Sequence, residues 1–181
     1  MRAIKTDRLI IRPLQPSDHD DLQTIILDAE VVKYMRYHDI TTPAAFNNVF
    51  ENHFLMEQQY TFGIESKETH KLIGFYEFHP ENTTGILTYA LNRNAWGHGY
   101  VAEAGQAMMN YGFEKLNFDK IEAHYADLNP RSGRVMAKMG MKNLGEQETF
   151  TFPTGEVVHV MAYELTKNEW SLTTDHHEQA V

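Results

Sequence analysis

The sequence contains no cysteine, which excludes disulfide bonds, thiolate nucleophiles and zinc–thiolate sites from this chain. It also lacks any apolar run that approaches the ~20 residues of a membrane-spanning helix. Residues 1–8 are polar and charged, without the hydrophobic region of a signal peptide. These absences predict a soluble cytoplasmic protein.

Basic residues are scarce: 16 lysines and arginines face 25 aspartates and glutamates, and the net charge is -9. Nucleic-acid-binding proteins usually have the opposite balance, so direct nucleic-acid binding is not expected. A negative field favours a cationic substrate, although the same charge also serves solubility. The 10 histidines show no paired spacing for zinc, and no metal site is expected.

The chain has 181 residues, 42% of them hydrophobic, which is enough for one domain with a sizeable core. We predict a single domain over residues 1–167, followed by a polar tail over 168–181 that frays. No internal repeat or low-complexity segment divides the sequence.

Hydrophobic periodicity and turn residues predict the order β-α-α-β-β-β-α-β-α-β-β, an α+β or three-layer α/β/α class. Ser17 with Asp20 resembles a capping box for the first helix, and Thr42 with Pro43 forms a good start for the second. The strands are predicted over 8–14, 60–65, 72–79, 86–91, 120–126, 141–152 and 156–165, the last two forming a hairpin around 153–155. The helices are predicted over 18–29, 43–59 and 131–139, with a longer one ending near 116.

The segment Trp96–Ala104 organises the rest of the chain. Its glycines, Gly97 and Gly99, lie between the strand at 86–91 and the long helix. Glycine permits a tight turn and close approach of a ligand, and a helix N-terminus offers unpaired N–H groups and a positive dipole end. Such a strand, turn and helix start form an anion site, most often for phosphate. We interpret it as the pyrophosphate site of a coenzyme, with a plain tight turn as the alternative.

A dinucleotide-binding fingerprint is a second interpretation, because Gly97–Ala102 also fits the pattern G-x-G-x-x-G/A. That fingerprint requires a repeated parallel βαβ array, whereas three hairpin-like strands precede this segment. An acidic residue is expected ~20 positions later. Asp119 and Glu122 are the candidates, but they fall before or inside the next strand.

Several segments together resemble one branch of the GNAT acyltransferases, the ribosomal-protein N-terminal acetyltransferases and related small-molecule enzymes. Thr6–Pro13 resembles the opening strand of that branch. Trp96–Ala104 resembles its motif A, Trp-Gly-x-Gly-Tyr-x-x-Glu-Ala. Asn129-x-x-Ser132, followed by Lys-Met-Gly-Met at 138–141, resembles its N-x-x-S…K-x-G-F segment.

The resemblance covers about residues 6–166 and implies a particular fold. It implies a mixed, largely antiparallel sheet that splays after its fourth strand, at 86–91, and is flanked by four helices. Acetyl-CoA is the implied acyl donor, an amine is the acceptor, and no metal is required. Coenzyme A would enter the splay.

Residue roles are implied by the same resemblance. Backbone groups around Tyr89–Leu91 would pair with the pantetheine arm and receive the thioester carbonyl, and the loop N–H groups would hold the pyrophosphate. Asn129 would fix the pantetheine tail, or only cap its helix; Ser132 would protonate the departing thiolate, or only bond local backbone. The implied coenzyme-binding residues are Tyr89, Ala90, Leu91, Gly97, His98, Gly99, Tyr100, Val101, Ala102 and Asn129.

The general base is left open, because the sequence departs from the family pattern. Ile86 stands where the branch often has glutamate, and Met136 stands where other members place tyrosine. Glu77, His79 and a water chain are the candidates. Glu77 also fits a solvated strand charge, and His79 also fits a turn residue.

The predicted function is acetyl transfer to a primary amine, with a protein N-terminus as the leading acceptor. A polyamine, an amino acid or an antibiotic amine stays open. Tyr34, Tyr37 and His38 either line the acceptor site or pack in the core. A non-catalytic acyl-CoA-binding module is the alternative from another class, and the protein is expected to be a monomer or a homodimer.

Overall fold

Eight strands of the described chain form one mixed sheet in the order β1-β2-β3-β4-β5-β6-β8-β7. The computed structural model describes residues 3–152 and 154–178. The strands are β1 Ile4–Lys5, β2 Leu9–Pro13, β3 Thr61–Ser66, β4 Leu72–Glu81, β5 Thr84–Leu91, β6 Lys120–Ala126, β7 Lys142–Thr151 and β8 Val157–Thr166. The helices are α1 His19–Ile26, α2 Ala29–Val32, α3 Pro43–Val49, α4 Tyr100–Glu114, α5 Pro130–Lys138 and α6 Lys167–Glu178.

Antiparallel pairing dominates this sheet: β1 with β2, β2 with β3, β3 with β4, β6 with β8, and β7 with β8. β5 and β6 are parallel, with register pairs from Thr84–Lys120 to Leu87–Ala123. A parallel pair needs a long crossover, which α4 supplies. The mixed, largely antiparallel α+β class is therefore confirmed. These strands do not form the repeated parallel array that a dinucleotide-binding fingerprint requires. The dinucleotide-binding interpretation is therefore wrong.

The chain divides into two compact units, which we describe separately. The first contains the residues up to Phe78 together with Thr88–Ala107, and the second contains His79–Leu87 and the residues from Met108 onward. The boundaries fall inside β4, β5 and α4, so neither unit is one continuous stretch of chain. A single domain over 1–167 stays a prediction.

In the first unit, β4 is buried on both faces. The ring of Phe75 lies 5.3 Å from that of Phe54, next to α3, and the Tyr76 hydroxyl donates to the Val101 carbonyl oxygen in α4 at 2.6 Å. Helices therefore cover both sides of this part of the strand, where residues 74–78 are buried. The buried cluster on the α3 side includes Leu22, Ile25, Phe46, Phe54 and Phe75.

In the second unit, the β6 side chains Ile121 and Ala123 are fully buried. Helix α5 approaches β6 through Gly133, where an added Cβ would lie 2.7 Å from the Tyr125 ring. A side chain at that position would require the Tyr125 ring or the helix to move, so glycine allows the close approach. β7 is largely exposed and extends the sheet at its edge.

The predicted fraying after residue 167 is wrong for the start of the tail, where the first turn of α6 is anchored. Trp170 is buried, with its ring 6.1 Å from Phe113, and Lys167 Nζ donates to the Phe113 carbonyl at 2.8 Å. The Glu169 carboxylate accepts from the Thr166 backbone N–H at 3.0 Å. These contacts anchor the first turn of a polar segment. Residues 179–181 of the predicted tail lie outside the described residues, as does residue 153 of the predicted hairpin turn.

The helix starts in the first unit differ in part from prediction. Thr42 caps α3 as predicted, with its hydroxyl accepting from Ala45 N–H at 3.2 Å. The Ser17 and Asp20 capping box is wrong, because Asp18 instead accepts from the Gln15 backbone N–H at 2.7 Å. The predicted helix over 43–59 continues after α3 only as a π-helical turn, Phe50–Phe54. No helix in the described ranges is both long and apolar enough to cross a membrane.

Candidate active site

The glycine loop, Trp96–Gly99, joins β5 to α4. Trp96 Nε1 donates to the Leu91 carbonyl at 2.9 Å, which ties the loop to the end of the strand. Gly97 and Gly99 have φ values of +82° and +80°, in the left-handed region that side chains with a Cβ rarely adopt. The helix opens with the Glu103 N–H donating to the Gly99 carbonyl at 3.1 Å. The predicted sequence of strand, glycine turn and helix start is therefore present.

The end of β5 is packed tightly against β4. A Cβ added at Gly74 would lie 2.4 Å from the Ala90 carbonyl oxygen and 2.3 Å from the Leu91 side chain. The Tyr89 ring lies 5.3 Å from that of Tyr76. Burial, together with Tyr89, raises the pKa of Tyr76 well above its usual value, so its hydroxyl remains a donor to α4. Tyr76 thus contacts both the end of β5 and the first turn of α4.

The glycine loop is also held by Arg8, a residue that sequence reasoning did not single out. Arg8 Nη1 donates to the His98 carbonyl at 2.9 Å, and its Nε donates to the Glu103 carboxylate at 2.7 Å. The guanidinium lies over the Tyr100 ring, 4.5 Å from its centre. Glu103 also accepts from the Thr6 hydroxyl at 2.5 Å and from the Arg8 backbone N–H at 2.8 Å.

A second polar group, which we name the Glu77 cluster, consists of Glu77, Tyr37, His53 and Thr61. The Glu77 side chain is fully buried and accepts from the Tyr37 hydroxyl at 2.5 Å, His53 Nε2 at 2.6 Å and the Thr61 hydroxyl at 3.4 Å. The interpretation of Glu77 as a solvated strand charge is therefore wrong, because α3 and its π turn cover that face of β4. Burial and the Glu77 charge raise the pKa of Tyr37, which stays a hydroxyl donor.

His53 connects the Glu77 cluster to the surface. Its side chain is 28% exposed, whereas that of Glu77 is 0% exposed. It lies on the π-helical turn Phe50–Phe54, a distortion that is frequent at functional sites. The Tyr37 ring lies 5.4 Å from that of Phe54 and 5.8 Å from that of Phe75, so Tyr37 packs in the core and also hydrogen-bonds to Glu77. His53 was missed because its partner is 24 residues away in sequence.

The remaining predicted residues belong to the second unit. His79 is half-buried near the end of β4. Asn129 occupies the N-cap position of α5, but its side chain makes no capping hydrogen bond, so the capping alternative is wrong. Ser132 lies in the first turn, where its backbone N–H donates to the Asn129 carbonyl at 3.1 Å. The structure thus brings Asn129 and Ser132 together, while Glu77 and the glycine loop lie in the first unit.

Tyr34 is half-buried and His38 is exposed, with His38 Nδ1 2.8 Å from the Met35 carbonyl oxygen. Of the three residues considered for the acceptor site, Tyr37 is a member of the Glu77 cluster. No group of three or more histidine, aspartate or glutamate side chains suited to a metal ion occurs among the residues that the structure describes.

Comparison with known families and sequences gives one consistent result. The model of a family described as acetyltransferase (GNAT) domain matches residues 8–142. An uncharacterized N-acetyltransferase, p20, of Bacillus licheniformis is 30% identical to this chain over 177 residues. That alignment covers 94% of this chain and 99% of the relative.

Solved structures give the same architecture. A spermidine N-acetyltransferase from Vibrio cholerae, in complex with CoA and spermine, is similar with a TM-score of 0.77 and 18% identity, covering 90% of this chain and 98% of that one. A ribosomal-protein-S5-alanine acetyltransferase from Vibrio fischeri is similar with a TM-score of 0.71 and 20% identity, covering 94% and 99%. At these identities the likeness concerns the fold alone.

Proposed function

The chain belongs to the GNAT acetyltransferase family and is an acetyl-CoA-dependent N-acetyltransferase, and we propose that it acetylates a primary amine, with a protein N-terminus as the leading acceptor. The proposed acceptor protein is of the cationic, ribosomal-protein type, as the motif resemblance implies. A polyamine is the second candidate, and the net charge of -9 favours either cation.

The observation that carries the coenzyme proposal is the left-handed glycine loop at the start of α4. The proposal assigns the pyrophosphate to backbone N–H groups of residues 97–102, which the helix dipole makes a favourable environment for an anion. β5 continues to Leu91 beyond its last register pair with β6, at Leu87. This supports the proposal that the backbone of Tyr89–Leu91 pairs with the pantetheine arm. Asn129 is proposed to hold the tail of that arm.

The proposed base is the Glu77–His53 pair. An ammonium group must lose a proton before its nitrogen can attack, and a histidine held by a carboxylate is a suitable acceptor. Glu77 is buried, so His53 provides its connection to the surface. Glu77 is proposed to orient the imidazole of His53. His79 and a water chain are the alternatives.

The chemical step then proceeds in two stages in this proposal. The amine nitrogen attacks the thioester carbon, and a backbone N–H of β5 donates to the oxyanion that forms. The carbon–sulfur bond breaks as the amide forms, and the coenzyme A thiolate takes a proton from the Ser132 hydroxyl. Ser132 is reprotonated by the proton that the nitrogen loses as it becomes an amide. Holding donor and acceptor together supplies much of the acceleration.

The acceptor can be tested by following release of free thiol from acetyl-CoA and the acetylated product by mass spectrometry. The panel contains a basic peptide with a free N-terminus and no lysine, the same peptide with a blocked N-terminus, and spermidine. We expect turnover with the free peptide and none with the blocked control. Turnover with spermidine alone would establish the second candidate. Stabilisation by acetyl-CoA without turnover on any amine would contradict the assignment.

A further inference from the structure

Arg8 and Glu103 are placed to determine the shape of the glycine loop. We propose that this ion pair is a positioning device that holds the His98–Gly99 peptide in the orientation needed to bind a diphosphate. The inference rests on the proposed binding of acetyl-CoA at the loop. It assigns a positioning role to the Thr6–Arg8 segment, which is far from the loop in sequence.

Peptide geometry makes the connection between Arg8 and the proposed ligand. The His98 carbonyl points at Arg8 Nη1, 2.9 Å away. In a trans peptide the carbonyl and the following N–H point in opposite directions. The Gly99 N–H therefore points away from Arg8. By hydrogen-bonding to the His98 carbonyl, Arg8 fixes the direction in which the Gly99 N–H points and can donate to an anion.

Glu103 fixes Arg8 in turn. Its carboxylate accepts from the Arg8 side chain, the Arg8 backbone N–H and the Thr6 hydroxyl, all between 2.5 and 2.8 Å. The Arg8 side chain is 48% exposed and that of Glu103 only 17% exposed. The carboxylate lies in the first turn of α4, so the pair links the chain before β2 to the helix that follows the loop.

The Arg8 guanidinium also packs beside the glycine loop. A Cβ added at Gly99 would lie 3.8 Å from Arg8 Nη2, and the Tyr100 ring lies beneath the guanidinium. The planar guanidinium of Arg8 can contact the His98 carbonyl, the Glu103 carboxylate and the Tyr100 ring together. A lysine ammonium is a single point charge and cannot. The geometry therefore requires arginine and not only a positive charge.

Four variants separate positioning from a direct charge contact with phosphate. Kd for acetyl-CoA is measured by calorimetry on wild type, Arg8→Gln, Arg8→Lys, Glu103→Gln and the control Arg93→Gln. Arg93 has a similar exposure of 56% and a comparable contact, Nε to Asp28 at 2.6 Å. Circular dichroism melting of each variant reports whether it is folded.

Positioning predicts that Arg8→Gln, Arg8→Lys and Glu103→Gln each raise Kd about tenfold, the effect of misaligning one hydrogen bond to a charged group. Arg93→Gln should leave Kd within twofold, about the size of a minor surface effect. A direct phosphate contact predicts instead that Arg8→Lys keeps its affinity and Glu103→Gln binds as tightly as wild type or more so. That result would overturn the inference, as would an equal loss in Arg93→Gln.

The amide signal of Gly99 provides a readout that a purely structural role would not change. In a ¹H–¹⁵N spectrum this signal should move when acetyl-CoA is added to wild type, and move much less at ligand saturation in Arg8→Gln. An equal movement in both proteins would contradict the inference. If wild type does not bind acetyl-CoA, the proposed coenzyme site fails; if it binds and the variants match it, only the positioning role fails.

Discussion

The glycine loop and the Glu77 cluster form polar sites of opposite kinds. The loop uses backbone groups contributed by consecutive residues, and its glycines are exposed. The Glu77 cluster uses side chains 16, 24 and 40 residues away from its carboxylate, and that carboxylate is fully buried. A backbone site tolerates changes in side-chain chemistry but not in conformation, whereas a side-chain site depends on the identity of each member.

The same contrast applies to stability. In the described chain every buried side-chain nitrogen or oxygen has a hydrogen-bond partner, and Glu77 has three partners within 3.4 Å. Removing one member leaves a hydrogen-bonding group of a buried partner unsatisfied, which costs ~1–3 kcal/mol. The exposed loop has no such liability. We therefore expect variants of the glycine loop to bind acetyl-CoA more weakly. Variants of the Glu77 cluster should have a lower kcat and should also be less stable.

The substitution Glu77→Gln gives the largest expected effect, because it keeps the shape of the side chain and removes the charge that orients His53. We expect kcat to fall about 10²–10⁴-fold, the usual contribution of a general base, with Kd for acetyl-CoA unchanged. Glu65→Gln on neighbouring β3, where Glu65 pairs with Arg12, is the matched control and should retain turnover. Equal kcat in Glu77→Gln and wild type would exclude this cluster from the chemistry.

Gly99→Val tests the backbone side of the comparison. The valine must occupy a φ of +80°, or the loop must leave it, and the left-handed region costs ~1–2 kcal/mol for a residue with a Cβ. We expect Kd for acetyl-CoA to rise about tenfold or more. Gly145→Val introduces the same strain at a φ of +80° in β7 and should leave Kd unchanged. Equal affinity in Gly99→Val and Gly145→Val would show that the loop does not bind the coenzyme.

Ser132→Ala adds a third region, the start of α5. If its hydroxyl protonates the thiolate, kcat should fall about tenfold, with acetyl-CoA affinity nearly unchanged. This is less than the ~10²–10⁴-fold that is usual for general acid–base catalysis, because a thiolate is already a good leaving group. Ser171→Ala in α6, whose hydroxyl donates to the Lys167 carbonyl at 3.0 Å, is the control. An unchanged rate would remove Ser132 as the acid.

The smallest expected effect concerns the pH dependence of Glu103. Burial acts to raise its pKa, but hydrogen bonds from Thr6 and Arg8 outweigh burial and lower the pKa below the usual value of 4.5. Its stabilising contribution is therefore present above the unfolded-state pKa and is lost as pH falls through the lower folded-state pKa. Glu103→Gln should melt about 1–3 °C below wild type at neutral pH. The difference should disappear only below pH 4.5; disappearance near pH 6 would contradict this assignment.

The glycine loop could be predicted from the sequence because its signals are local. The two glycines, the preceding strand and the following helical pattern occupy one short segment, and β6 was predicted with its observed bounds, Lys120–Ala126. Antiparallel hairpins were predicted for the same reason, since short turns connect strands that are adjacent in the sheet.

Glu77 and Tyr37 were candidates from the sequence, but their contact with each other could not be predicted, because alternation along β4 does not reveal that helices cover both faces. Glu77 lies between Tyr76 and Phe78, so its own strand suggests a solvent-facing position. The contact with His53 depends on a π turn, which a regular helical pattern does not contain. Arg8 belonged to a recognised motif, but its contact with His98 spans 90 residues and required the fold.

A crystal structure with acetyl-CoA bound tests the central claim most directly. The account predicts diphosphate oxygens within hydrogen-bond distance, about 2.7–3.2 Å, of backbone nitrogens of residues 97–102. It also predicts the thioester beside the backbone of Tyr89–Leu91. A diphosphate bound elsewhere, with the glycine loop empty, would contradict it.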